Sequence, residues 1–253
     1  MSEEIVSGGQ NRVFIRGGFV YRPSHPWSEG TRRLLDFCHA EGLEFVPEWH
    51  GRDKDGNEIF EYIEGEVGNY PLPKFLRNIT AVVTAGRTLR RFHDATAKLI
   101  GDDALRRQLG ALDPVEVVCH GDFAPYNCAF DSEGRIKGII DFDGARFGPR
   151  IWDLSYAIYR FVPLVDFDAP DDGFGNLTTR LQRLRAFFDA YGASREQMIA
   201  AVEILPRRLL SLLDWMYREA AAGNEGCKQN LRDRHHELYL RDVLSLTTLH
   251  EKL

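Results

Sequence analysis

One eight-residue run carries most of the chemistry legible in this chain: His120-Gly121-Asp122-Phe123-Ala124-Pro125-Tyr126-Asn127. The apolar stretch Val115 to Cys119 precedes it. After the turn Asp131-Ser132-Glu133-Gly134, a second apolar stretch from Ile136 to Ile140 ends in Asp141-Phe142-Asp143-Gly144. Carboxylates and a carboxamide are thereby delivered to neighbouring strand ends. That set suits phosphoryl transfer, which needs positioning and charge neutralisation more than covalent help. A carboxylate must orient the attacking hydroxyl and take its proton, a role open to Asp122. Oxygen ligands must hold Mg²⁺ against a triphosphate, and Mg²⁺ takes only one or two carboxylates beside phosphates and water. Asn127 and Asp141 can supply them. Asp143 is either a further metal contact or a turn residue. Loops use Asp and Asn freely to close turns, but here the spacing, the histidine, the flanking strands and the second aspartate agree.

The D-x-x-x-x-N spacing followed by an Asp at the next strand end matches the catalytic and magnesium loops of protein kinases. The longer string, with Ile139-Ile140-Asp141-Phe142-Asp143 behind it, resembles the aminoglycoside phosphotransferase and choline kinase family. The resemblance implies an α+β, bilobal protein-kinase-like fold with a small β-rich N-lobe and a larger, mainly helical C-lobe. It implies Asp122 as catalytic base and Asn127 and Asp141 as magnesium ligands, with ATP or GTP as phosphoryl donor and a small-molecule hydroxyl, such as that of an aminoglycoside-like antibiotic, as acceptor. Trp152-Asp153-Leu154-Ser155 is similar to a family segment whose Asp supports the catalytic loop, and Leu89-Arg90-Arg91-Phe92-His93-Asp94 to the end of its first C-lobe helix. In kinase-like loops the His120 position packs and hydrogen-bonds the metal-loop backbone; direct acid–base work is its alternative. The likeness covers most of residues 5 to 160. Small members of the family also resemble trifolitoxin immunity proteins, which implies a second role: a weakly active or inactive kinase-like protein that sequesters a toxin or drug.

In the small lobe the expected pattern is altered. Protein kinases place a Lys on the third strand, paired to a Glu on the next helix. Here Phe19-Val20-Tyr21-Arg22 offers Arg22, whose fork can grip phosphate oxygens, and Glu29, opening the following helix, is its natural partner. Ser7-Gly8-Gly9-Gln10-Asn11 reads as a plain turn or a short phosphate-covering loop. No G-x-x-x-x-G-K-[ST] occurs, which excludes a P-loop kinase. Glu61, Tyr62 and Ile63 fall at the joint, residues 61–65, between an N-terminal nucleotide-binding lobe (1–65) and a C-terminal catalytic and substrate lobe (66–253); the kinase resemblance gives their backbone to the nucleobase.

The elements that must position these residues are visible as patterns. Two β-prone runs, 12–15 and 19–22, flank Gly17-Gly18 and make a hairpin. Ser28 can cap a helix from about Glu29 to Glu41. The Asp53-Lys54-Asp55-Gly56-Asn57 turn leads into a strand from Glu58 to Ile63. Phe75 to about Ile100 reads as a long amphipathic helix, and from Trp152 on the pattern is helical almost to the end, broken by loops near 165–175 and 223–226. The first of these loops holds Asp166, Asp168, Asp171 and Asp172, a charged surface loop or a cation-attracting rim.

The 253 residues are 43% hydrophobic and 28% charged, with a net charge of -6. Such a balance gives a sizeable core and argues against nucleic-acid or anionic-membrane partners, which need basic patches. Cys38, Cys119, Cys128 and Cys227 form no C-x-x-C pair and read as reduced, buried thiols. The polar, acidic start has no signal-peptide pattern, and no stretch suits a membrane span, so the expected location is cytoplasmic.

Overall fold

The structure, a computed structural model, describes residues 4–8, 11–165 and 174–247. Its N-terminal part is an antiparallel sheet of β1 (Glu4–Gly8), β2 (Asn11–Arg16), β3 (Phe19–Arg22), β4 (Trp49–Arg52) and β5 (Glu58–Glu61), in the order β1-β2-β3-β5-β4. The Gly17-Gly18 hairpin forms as expected, with φ of +62° and +81°, angles that glycine takes without strain. β1 is an addition to the sequence reading: Ser7 and Gly8 end it and Asn11 opens β2, with Gly8 opposite Asn11. Gly9 and Gln10 lie outside the described residues.

Helix α1 (Ser28–Ala40) packs beside the sheet through Leu34, Leu35 and Cys38. Ser28 is not its cap. Its hydroxyl accepts from the His25 N–H at 2.9 Å and donates to Glu58 at 2.6 Å, so a cross-element bond replaces the expected local one. The chain then leaves the first sheet. Two residues of β6 (Glu66–Val67) pair with β8 (Cys128–Phe130), which pairs in turn with β9 (Ile136–Ile139).

Helix α2 (Ile79–Thr96) is the core of the second half. It starts later than its periodicity suggests. Lys74–Arg77 form a 3₁₀ turn, and the extended Asn78 caps the helix by accepting from the Ala81 N–H at 3.0 Å. Val82, Ala85, Leu89 and Phe92 are fully buried along one face. Gly86 lets α5 (Leu177–Tyr191) approach, because a Cβ there would lie 2.4 Å from the Phe187 carbonyl oxygen. Between them in the chain come α3 (Asp103–Leu109), β7 (Val117–Cys119), β10 (Arg146–Gly148), which pairs antiparallel with β7, and α4 (Arg150–Phe161). Helices α6 (Arg195–Glu203), α7 (Leu205–Ala221), α8 (Glu225–Arg232) and α9 (His235–Thr247) complete a mainly helical remainder. The fold is α+β and bilobal. Among the described residues no helix is long and apolar enough to cross a membrane. The four cysteines are free and buried, and burial pushes the Cys38 thiol up to about 12.

Candidate active site

The fully buried strand β7 leads into His120. At Gly121 the chain turns with φ +82°, and a Cβ would sit 2.1 Å from the Gly144 carbonyl oxygen, so only glycine fits. The turn is held from behind by Asp153 of α4, which has no exposed surface. Its Oδ2 accepts from the His120 N–H at 2.7 Å and its Oδ1 from the Gly121 N–H at 2.9 Å. Burial pushes the Asp153 carboxyl up, but the hydrogen bond from His93, with the backbone donors, holds it below the usual range. Arg150 donates to the Tyr191 hydroxyl at 3.1 Å, Tyr191 meets His93 Nδ1 at 2.8 Å, and His93 Nε2 meets Asp153 at 3.1 Å. A neutral His93 protonated on Nε2 satisfies every member of that chain, and burial lowers its pKa.

Of the two roles open to His120, the geometry supports the supporting one. The ring has no exposure. Nε2 faces the Ile140 carbonyl at 3.0 Å, and Nδ1 accepts from the Asp122 N–H at 3.3 Å. It ties the two loops together and does not face the cleft.

The Asp122 carboxylate is oriented at both oxygens. Oδ1 accepts from the Tyr126 hydroxyl at 2.7 Å and Oδ2 from the Asn127 Nδ2 at 2.9 Å; the same Nδ2 also donates to the Asp122 carbonyl at 2.9 Å. With its nitrogen spent, Asn127 has Oδ1 left for a cation. Asp141 has left-handed backbone with φ +62° and is open to solvent within the cleft. Among the described residues no group hydrogen-bonds its carboxylate. Crowding by protein atoms raises its pKa, and the charges of Asp143 and Asp122 raise it further. Carboxylates held together without enough counter-charge, beside an amide oxygen, fit a hard divalent cation such as Mg²⁺.

On the other side of the cleft Arg22 reaches Asp143 at 2.7 Å and lies 3.6 Å from Glu58. Its expected partner, Glu29, is elsewhere: Glu29 binds Arg32 at 2.6 Å on the solvent side of α1. The buried acid of this lobe is Glu58, which is 1% exposed and also accepts from Ser28. The β3–β5 register sets Arg22 directly opposite Glu58. An exposed carboxylate one turn from Arg32 gains that partner cheaply, whereas Glu58 has no solvent alternative. Asp143 is thus an ion-pair partner here, neither a free ligand nor a plain turn residue.

At the joint, the Glu61 N–H donates to the Glu48 carbonyl at 2.8 Å and the Tyr62 N–H to the Gly18 carbonyl at 3.0 Å. Of the three expected nucleobase contacts, only the Ile63 amide has no backbone partner among the described residues. The acidic stretch from Asp166 to Asp172 lies outside them.

Sequence reading missed several groups near Asp122. Tyr126 joins the Tyr156 hydroxyl at 2.8 Å. The Arg160 guanidinium carbon lies 4.9 Å from the Tyr126 ring centre, and Arg208 of α7 donates to the Gly121 carbonyl at 2.6 Å. Only the tyrosine four residues after Asp122 and the helical spacing of Asp153, Tyr156 and Arg160 hinted at this cluster.

A family model for a phosphotransferase enzyme family matches residues 99–196, which include Asp122, Asn127, Asp141 and Asp153. The trifolitoxin immunity protein of Rhizobium leguminosarum bv. trifolii is 35% identical over 210 residues, covering 78% of this chain and 77% of the relative. The chain belongs to the phosphotransferase enzyme family. This phosphotransferase-family chain also shares its fold with solved structures at low identity. A choline/ethanolamine kinase family protein from Mesorhizobium loti aligns at a TM-score of 0.59 and 19% identity, over 97% of this chain and 92% of that one. An aminoglycoside 2'-phosphotransferase variant, solved as its GDP complex, aligns at a TM-score of 0.63 and 14% identity, over 98% and 93%.

Proposed function

We propose that this phosphotransferase-family chain moves the γ-phosphate of a nucleoside triphosphate, ATP or GTP, to a hydroxyl of a small molecule, in a Mg²⁺-dependent reaction. The observation that carries the reading is the doubly anchored Asp122 facing the carboxylate group of Asp141 and Asp143. Asn127 and Asp141 would hold the metal, which when bound offsets charge on the phosphates. Asp122 orients the acceptor hydroxyl and takes its proton as the oxygen attacks. Arg22, drawn off Asp143, would meet the phosphates. The donor restricts the work to where nucleoside triphosphates are made, in the cytoplasm, and modifying an antibiotic or toxin there would protect the cell.

The immunity-protein relative favours a second reading, in which the chain binds a toxin without turnover. The intact Asp122, Asn127 and Asp141 weigh against it. Thermal unfolding with and without Mg²⁺–ATP and Mg²⁺–GTP separates the two. A ligand at a hundred times its Kd stabilises by about 2.7 kcal/mol, and the shift should vanish in Asp141→Ala. No shift with either nucleotide in the folded wild type would favour nucleotide-independent binding.

A further inference from the structure

Beside Asp122 lies a cage of phenol rings with a cation already inside it. The Arg160 guanidinium carbon is 4.9 Å from the ring centres of Tyr70 and Tyr126, 5.5 Å from Tyr159 and 5.8 Å from Tyr156. The Tyr70 hydroxyl donates to the Arg160 carbonyl at 3.1 Å, which fixes the cage to the end of α4. The rings satisfy the faces of the guanidinium. Its edge is another matter. Among the described residues Arg160 makes no ion pair and donates no hydrogen bond, and its Nε is fully buried without a partner. An arginine carries five donors in a planar fork. This one is partly open to solvent. The second arginine nearby, Arg208, already spends a donor on the Gly121 carbonyl.

Such a site disfavours a cationic acceptor: the place where an aromatic cage would receive an ammonium is filled by a like charge. It favours an oxyanion, and a planar guanidinium edge walled by rings on its faces suits a flat carboxylate lying in the same plane. The Tyr126 ring spans the distance, its hydroxyl on Asp122 and its face under Arg160. We propose that the acceptor is a compact hydroxycarboxylic acid, its carboxylate on Arg160 and its hydroxyl on Asp122. This rests on the phosphotransferase reading above. In the transfer, the hydroxyl oxygen forms a bond to the γ-phosphorus and its proton passes to Asp122. The bond from that phosphorus to the β–γ bridging oxygen breaks, and the nucleoside diphosphate leaves with the electron pair.

Two measurements on the full chain test it. The Arg160 Nε–H NMR signal is followed during titration with acetate, inorganic phosphate and choline, using Arg160→Lys to assign it. Acetate should shift it saturably, at least tenfold more tightly than phosphate, with no effect of choline. An unmoved signal, or tighter binding of phosphate or choline, overturns the carboxylate site. Transfer from Mg²⁺–ATP is then compared for gluconate and sorbitol, which differ in one terminal group. Gluconate should be at least tenfold faster, and Arg160→Gln (or Arg160→Met, should the former not fold) should erase the difference through KM. Equal rates, zero included, or faster transfer to sorbitol or kanamycin, overturn the substrate class. An acetate response without any nucleotide-induced thermal shift would instead bring down the phosphotransferase reading while sparing the anion site.

Discussion

Asp153 and Arg22 each fix a charge at an edge of the same cleft, and they are held in different ways. Asp153 is buried on a helix and meets two backbone N–H groups and a neutral histidine, so its surroundings leave it one position. Arg22 ends a four-residue strand of the small sheet and divides its charge between Glu58 on the next strand and Asp143 across the cleft. The first arrangement does not need to change during a reaction. The second contains a contact that a phosphate can replace. A buried, fully satisfied network rigidifies, and a shared ion pair leaves room for exchange.

The largest expected effect lies at the group the rigid side supports. Asp122→Ala should lower transfer by about three orders of magnitude, within the range for loss of a positioned base, while the Mg²⁺–nucleotide thermal shift remains. Retained turnover would end the assignment. Asp153→Asn should cost stability, about 3 kcal/mol in urea unfolding, because it leaves a buried set of donors and a histidine mismatched. A loss below about 1 kcal/mol would mean the scaffold is less exclusive than it looks.

The same network gives a pH signature. His93 is held neutral when folded, with its pKa depressed by burial. The unfolded chain therefore binds the extra proton, and stability rises with pH between the folded and unfolded values. Stability should be intact above the ordinary histidine value, about 6.5, and fall below it by up to about 1.4 kcal/mol per pH unit. Asp153, also depressed, adds a loss only below the ordinary carboxylate range. Urea titrations from pH 7 to 5 should show a shallower fall in His93→Gln; equal slopes would remove His93 from this role.

On the adaptable side the effects are smaller and their order is the test. Glu58→Gln should cost about 1–3 kcal/mol, as expected when a buried charged partner is lost, and should weaken nucleotide binding by loosening Arg22. Glu29→Gln should stay within about 0.5 kcal/mol, since its pair with Arg32 is exposed. The reverse ranking would return Glu29 to the place the sequence suggested.

This contrast also explains what could be read beforehand. The loop proposed to be catalytic is contiguous, so its candidate residues stand together in the sequence, and Asp153 directly follows its tryptophan. The two-part fold was legible because the period of the apolar residues changes near the joint. The Arg22 partner was not, since Glu29 and Glu58 are both plausible in sequence and only strand register separates them. Ser28 and the start of α2 were misjudged for a related reason: a side chain that can cap locally was taken by a distant carboxylate, and Asn78 ended a pattern that the apolar residues alone would have extended. The tyrosine cage draws on Tyr70, Tyr126, Tyr156 and Tyr159, which no local pattern assembles.

The bond from Arg208 to the Gly121 carbonyl has a consequence for how the protein comes into being. Chains emerge from the ribosome from the N-terminus and fold progressively. The loop that carries Asp122 and Asn127 is complete in sequence long before α7 is made. Until that helix docks, the loop lacks one of its fastenings, and a nascent or truncated chain ending before residue 205 carries the whole motif without the clasp that closes it. The full fastening of this loop is thus tied to the synthesis and docking of α7.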